Sequence, residues 1–202
     1  MGPFALTTLA ALAVAAALVA LCVRTDVRHR RIPNGAVAAL AGIWLLWRLA
    51  LGALACWEEL AGLLDSSFPL GTRFLMGTWD ARPLGLPSAA DGLLAAAMFG
   101  IGLLVLALAF EAAFKREALG GGDVKLMAAL ALFMGPGRSA LCLLAACVAA
   151  LAWQALCRVR RPRKGTRSQA APSPPGAFPF APALAFGAAV AVVPGIVWWL
   201  AA

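Results

Sequence analysis

The sequence predicts an all-α polytopic membrane protein with about six transmembrane helices and both chain termini on the external side. Three observations support this class. The chain of 202 residues is 63% hydrophobic and 13% charged, whereas soluble domains are about 45–50% apolar and about 25% charged. Several stretches of about 20 residues carry almost no charge, which is the length that a helix needs to cross a hydrocarbon core. The basic residues, finally, are concentrated in three of the segments between these stretches.

Six apolar blocks follow one another along the chain. The first is followed, not preceded, by positive charges, so we do not expect a cleaved signal peptide. The fourth has only 11 residues, which at 1.5 Å per residue cover about half of the core. Gly135-Pro136-Gly137 predicts a turn between the fourth and fifth blocks. The blocks are Phe4–Val23, about Ala36–Cys56, about Gly92–Phe110, Val124–Met134, Ala140–Cys157 and about Ala181–Ala202.

Charge predicts the orientation of these helices. Of the 17 Lys and Arg residues, 13 fall in the segments 24–31, 115–125 and 158–167. The positive-inside rule puts these segments in the cytoplasm. It also explains the net charge of +8 without a nucleic-acid partner. We therefore expect one integral-membrane domain over residues 1–202, with an external loop at about 57–90 and a basic, Pro-rich cytoplasmic loop at about 158–180.

An acidic residue stands at the start of the short fourth block. Gly120, Gly121 and Gly122 precede Asp123, and Lys125 follows two residues later. Ionisable residues at membrane depth are expensive and are candidates for function. The alternative is that Asp123 only caps the helix by accepting backbone N–H bonds. Lys125 has two interpretations as well. Its side chain could extend to the lipid headgroups, or it could shift the pKa of the aspartates or hold a substrate. Arg48, within the second block, also has two interpretations: its side chain could extend to the headgroups, or it could make a polar contact inside the protein.

A second aspartate, Asp26, lies about three residues beyond the predicted cytoplasmic end of the first helix. It could be an inert surface residue among arginines. However, the first helix runs inward and the fourth outward, which puts Asp26 and Asp123 at the same depth. Two adjacent carboxyl groups can share one proton, because like charges a few Å apart cannot easily both ionise. The ionised member can then activate water while the protonated member donates to the oxyanion and the leaving amine.

This chemistry needs no cofactor, and the sequence predicts none. The chain has one histidine, His29, and no Cys-x-x-Cys pair, so a metal site is not expected. The five cysteines lie in or beside apolar blocks, and we expect them to be buried and reduced. They are Cys22, Cys56, Cys142, Cys147 and Cys157.

Three motifs together resemble the prepilin peptidases, or type IV leader peptidases, which are membrane aspartic proteases of the GxGD type. The resemblance implies that Asp26 and Asp123 form the catalytic dyad. It also implies that Gly120, Gly122, Lys125, Pro33 and Asn34 bind substrate or shape the site. The motifs are Asp26 with Ile32-Pro33-Asn34, the run from Gly120 to Leu126, and Phe178-Pro179-Phe180-Ala181-Pro182 with Gly187.

The resemblance further implies the activity and the partners. The chain would remove the leader from type IV pilin-like precursors, of the prepilin or Flp type, at the cytoplasmic face of a bacterial inner membrane. Its partners would be these precursors and the lipid bilayer. Because the paired cysteines of the long family members are missing, we expect cleavage without methylation. Two alternatives stay open: an archaeal-type preflagellin peptidase, and a non-enzymatic transporter or scaffold whose aspartate pair binds a cation. The absence of an internal repeat favours the enzyme over a transporter.

Overall fold

The computed structural model describes residues 3–63, 87–115, 120–160 and 180–201. All regular structure in these ranges is α-helical, as the composition predicts. Four of the helices contain stretches that are long and apolar enough to cross a membrane, and the last contains a shorter apolar stretch, Ala181–Pro194. The protein is therefore a helical, multi-pass membrane protein. The helices are α1 (Pro3–His29), α2 (Asn34–Leu63), α3 (Ala89–Phe114), α4 (Gly121–Arg160) and α5 (Ala181–Ala201).

The segment numbered α4 contains both the fourth and the fifth predicted blocks, which are two helices that meet at a break at Gly135. The four candidate spans are Leu6–His29, Asn34–Leu54, Ala89–Phe114 and Gly121–Cys157. Within α4 only Gly135 departs from helical geometry, with φ 69° and ψ 177°. Pro136 follows it and resumes the helix, as proline can at the first position of a helix. The predicted turn over residues 135–137 is thus a single residue, which divides α4 into a first arm (121–134) and a second arm (136–160).

Two helices run further than predicted. Helix α1 continues past Val23 to His29, because Arg30 N donates to Asp26 O at 2.8 Å and so continues the helical bonding pattern. Asp26 is therefore a helical residue and does not lie in a loop. Helix α2 continues past Cys56 to Leu63, so the connection expected from residue 57 begins later. The rest of that connection, residues 64–86, and most of the predicted basic loop, residues 161–179, lie outside the described residues.

The core lies where α2, the two arms of α4 and α5 meet. Its most deeply buried side chains include Leu40, Leu126, Met127 and Leu184, each at most 1% exposed. Helix α3 packs on the first arm, where Gly100 faces Ala128, and α5 packs on the second arm, where Gly187 lies against the backbone of Cys142. Apolar side chains also cover the outside of the helices, which is the surface that lipid would contact.

One end of the bundle, which we call the arginine end, is built around Arg48 of α2. Its guanidinium lies over the rings of Trp47 and Trp44, at 4.5 and 5.7 Å from their centroids, and donates to Pro87 O. Pro87 in turn packs against Gly135. Arg48 therefore makes an interior polar contact, with cation–π support. It links α2 to the start of α3 and to the break in α4.

The cysteines are only partly as predicted. Cys22 and Cys142 are buried, whereas Cys56, Cys147 and Cys157 are exposed; all five are free thiols. The expectation of burial was wrong for these three because an apolar helix in a membrane can turn any of its faces to lipid.

Candidate active site

Asp26 is held at the opposite end of the bundle, which we call the aspartate end. It is 18 residues from Thr8, which accepts a hydrogen bond from Trp47 Nε1 near the arginine end. This separation is about 27 Å along a helix. The Asp26 side chain is only 7% exposed, and its Oδ2 accepts a hydrogen bond from Ala181 N at 3.2 Å. Ala181 is the first residue of α5, so this bond joins α1 to α5.

Asp123 stands on the first turn of α4, after the glycine run. Its backbone N–H donates to Gly120 O at 2.9 Å, so Asp123 is already within the helix. The alternative that it caps the helix is therefore wrong. Its Oδ1 atom is buried and has no hydrogen-bond partner among the described residues. A buried acceptor without a donor is costly, which is typical of a group whose partner is a substrate, a water molecule or its own proton.

The fold brings the two aspartates together. Asp26 lies near the end of α1, and Ile32, six residues later, lies against Gly122, the residue before Asp123, although 97 positions separate the two aspartates in the sequence. This juxtaposition is made through the short connection that follows α1, which contacts the first turn of α4. Two carboxyl groups so placed, with limited access to solvent, can share one proton and perform paired acid and base steps.

The two motif glycines each leave space that a larger side chain would fill. A Cβ atom on Gly120 would lie 3.2 Å from Asp123 Oδ2. A Cβ atom on Gly122 would lie 3.1 Å from the Cβ atom of Ile32. Gly122 thus permits close contact between the first turn of α4 and the short connection that follows α1. Both glycines therefore lie where an added side chain would contact Asp123 or Ile32.

Pro33, Asn34 and Lys125 lie at the same end. Pro33 O accepts from Ala36 N at 3.0 Å and so closes the first turn of α2. Lys125 Nζ donates to Asn34 Oδ1 at 3.2 Å. This bond links the beginning of α2 to the first turn of α4, just beyond Asp123. The structure therefore brings together all seven residues that the sequence suggested for the site.

Sequence reasoning missed one contact of Asp26, the hydrogen bond that it accepts from the backbone N–H of Ala181. A signal for it was available. Pro182 directly follows Ala181, and proline is favoured in the first turn of a helix. The first N–H groups of a helix have no intrahelical acceptor, so a helix start at this position supplies free donors. What the sequence did not reveal was that Asp26 would be the acceptor. In the ranges that the structure describes, no group of three or more His, Cys, Asp or Glu side chains could hold a metal ion.

Comparison with known proteins gives one match. Residues 70–155 match a family model described as the type IV leader peptidase family. The matched segment contains α3, the glycine run and Asp123, whereas Asp26 and Ala181 lie outside it. No curated protein and no solved structure matches the chain.

Proposed function

We propose that this chain, whose residues 70–155 match the model of the type IV leader peptidase family, is a membrane aspartic endopeptidase whose two catalytic residues are Asp26 and Asp123. The observation that carries this proposal is the meeting of the two carboxyl groups at one end of the bundle, one of them with an unpartnered buried oxygen. An acid and a base at one place are what hydrolysis of a peptide bond requires.

The reaction uses water as the nucleophile. One carboxylate removes a proton from water, and the oxygen of that water attacks the scissile carbonyl carbon. The other carboxyl group donates a hydrogen bond to the developing oxyanion and then its proton to the leaving amine. Glycines on one side of Asp123 leave the space for a peptide backbone to approach.

The proposed substrate is a type IV pilin-like precursor, of the prepilin or Flp type. Its short basic leader ends in Gly and precedes an apolar helix. That helix could lie in the bilayer against the apolar outside of the bundle and present the peptide bond at its end to the aspartates. Pro33, Asn34 and Lys125 would contact or position the segment around the cleavage site, since they surround the aspartate end.

For the topology, we propose six crossings with both termini external. Each arm of α4 would then cross separately, with the break at Gly135 on the external side. The aspartate end would face the cytoplasm of a bacterial cell, at the inner membrane. The basic residues support this orientation, because Arg28, Arg30 and Lys125 all lie near the aspartates.

The test is leader cleavage in membranes by Asp26→Asn and Asp123→Asn variants. Asparagine keeps the shape of the side chain and removes the titratable proton, so each variant should yield no detectable mature pilin at normal protein levels. Glu111→Gln is the matched control, because Glu111 is an exposed carboxylate that we place outside the site. It should cleave as the unaltered protein does. Near-normal cleavage by either asparagine variant would exclude the dyad.

A further inference from the structure

We propose that the two aspartates have fixed and different roles: Asp26 is the general base, and Asp123 is the general acid that holds the shared proton. The geometry that points to this assignment is the hydrogen bond from the first residue of α5 to Asp26, together with the lack of any donor at Asp123 Oδ1. The inference deepens the proposed function and rests on it.

Asp26 has a hydrogen-bond donor that stabilises its ionised form, whereas Asp123 Oδ1 has none among the described residues. Ala181 N donates to Oδ2 at 3.2 Å, and hydrogen bonds to a carboxylate are stronger than those to a neutral group. This donor belongs to the N-terminus of α5, which carries the positive end of the helix dipole. Helix α5 itself contributes no ionisable residue, since residues 181–201 include none.

The surroundings of Asp123 favour its protonated form. Its Oδ1 is buried without a partner, and an ionised carboxylate can only accept hydrogen bonds. A protonated carboxyl group carries its own donor and needs fewer partners. Asp26 supplies a nearby negative charge, which disfavours a second one. Lys125, two residues further on, instead donates to Asn34 Oδ1. The single shared proton therefore resides on Asp123.

This arrangement gives a balanced reaction. Asp26 takes a proton from water while the water oxygen bonds to the carbonyl carbon, and the resulting oxyanion accepts a hydrogen bond from protonated Asp123. The C–N bond then breaks as the oxyanion re-forms the carbonyl and Asp123 transfers its proton to the nitrogen. The products are a carboxylic acid and a free amine. Asp26 now carries the proton, and its return to Asp123 restores the starting state.

The assignment can be tested by changing the leaving group. An amine must be protonated to leave, whereas an alcohol leaves far more easily without help. The probe is a synthetic precursor peptide, with a basic leader ending in Gly and an apolar segment, in two forms: with the natural amide at the cleavage site, and with an ester there. Asp26→Asn and Asp123→Asn are assayed on both, with the unaltered full chain in detergent as reference.

On the amide, each variant should lose roughly 10²- to 10⁴-fold in kcat, the usual contribution of acid–base catalysis. On the ester, Asp123→Asn should recover by at least about tenfold because the acid step matters less, whereas Asp26→Asn should not recover. Recovery of Asp26→Asn alone, or equal behaviour of the two variants, would overturn the assignment and leave the proposed peptidase standing. Failure of the unaltered chain to cleave the amide would instead refute the proposed function.

A second measurement tests the α5 donor itself. Ala181→Pro removes the N–H at a position where a helix tolerates proline and adds ring atoms at a buried residue, while Ala181→Gly keeps the N–H. The proline variant should lose at least about tenfold in kcat with little change in KM, because a base that is no longer held ionised acts less well. The glycine variant should lose far less. Thermal unfolding in detergent shows whether the proline variant folds. If it does not fold, the assignment of the acid and base roles depends on the ester assay alone. Equal kcat for folded proline and glycine variants would refute the role of this donor.

Discussion

Gly121 and Gly122 are neighbours on the first turn of α4, but they have different surroundings. A Cβ atom on Gly121 would meet nothing within 4 Å, whereas a Cβ atom on Gly122 would lie 3.1 Å from Ile32 Cβ. Such a distance forces one of the two to move. Any shift of the first turn also moves Asp123, the next residue. At the residue scale, then, the position of Asp123 depends on the absence of a side chain at Gly122.

We expect Gly122→Ala to lower kcat/KM for leader cleavage by roughly three- to tenfold, or about 0.7–1.4 kcal/mol, because the displaced turn misaligns Asp123. Gly121→Ala is the matched control. It replaces a glycine on the same turn with a better helix former, and it should cleave normally. Steady-state kinetics on a precursor peptide measures both. A larger loss for Gly121→Ala than for Gly122→Ala would contradict this account.

At the scale of the element, α4 consists of two helical arms that meet at one break. Gly135 has φ 69° and ψ 177°, a region that is essentially open to glycine alone. The break separates the arm that carries Asp123 and packs on α3 from the arm that packs on α5. Pro87, whose carbonyl oxygen accepts a hydrogen bond from Arg48, packs against the break at Gly135. The angle between the two arms is therefore fixed by both backbone conformation and packing.

We expect Gly135→Ala to destabilise the protein by about 1–3 kcal/mol, the usual cost of forcing a side chain into this conformation. The clash adds to the strain, since the new Cβ atom would lie 2.7 Å from Pro87 Cβ. Gly137→Ala, two residues further on, provides the comparison, because its Cβ atom would meet nothing within 4 Å. Thermal unfolding in detergent should show a lower midpoint for the first variant only. An unchanged midpoint for Gly135→Ala would show that the break is not constrained.

At the scale of the whole molecule, the bundle has two chemically different ends. The aspartate end contains the proposed dyad, the Lys125–Asn34 bond and the start of α5. The arginine end contains Arg48 with its two tryptophan rings, Pro87 and the break in α4. Side chains on the outside between these ends are largely apolar. This distribution is that of a protein whose ends lie near the two surfaces of a membrane.

We expect cysteine labelling in intact cells to place the two ends on opposite sides. With the three exposed cysteines replaced by alanine, Arg28→Cys should be protected from an impermeant thiol reagent, and Ala90→Cys should react. Lys164→Cys, after α4 in the chain, decides the number of crossings. If each arm of α4 crosses the membrane, Lys164→Cys is protected like Arg28→Cys. A reactive Lys164→Cys would mean that α4 crosses once, and the proposal of six crossings would be wrong.

The sequence by itself determined the class of the protein and the pair of residues at its proposed centre. Composition alone requires a helical membrane protein, because only helices satisfy every backbone group within an apolar chain segment of this kind. The directions of successive helices, together with the basic segments, predicted that Asp26 and Asp123 would meet. The sequence put Asp123 immediately before the fourth block, which was predicted to begin at Val124, and the structure begins this helix at Gly121.

The tertiary structure decided which faces of the helices are inside and which group holds each aspartate. Cys142 is buried and Cys147 is exposed, yet both lie in the same apolar stretch. In a soluble helix the polar face would reveal the orientation; in lipid, core and exterior are equally apolar, so the sequence carries little information about rotation. Likewise, the Asp26–Ala181 bond joins residues 155 positions apart. Only the packing of α5 against α1 brings a free helix N–H to that carboxylate.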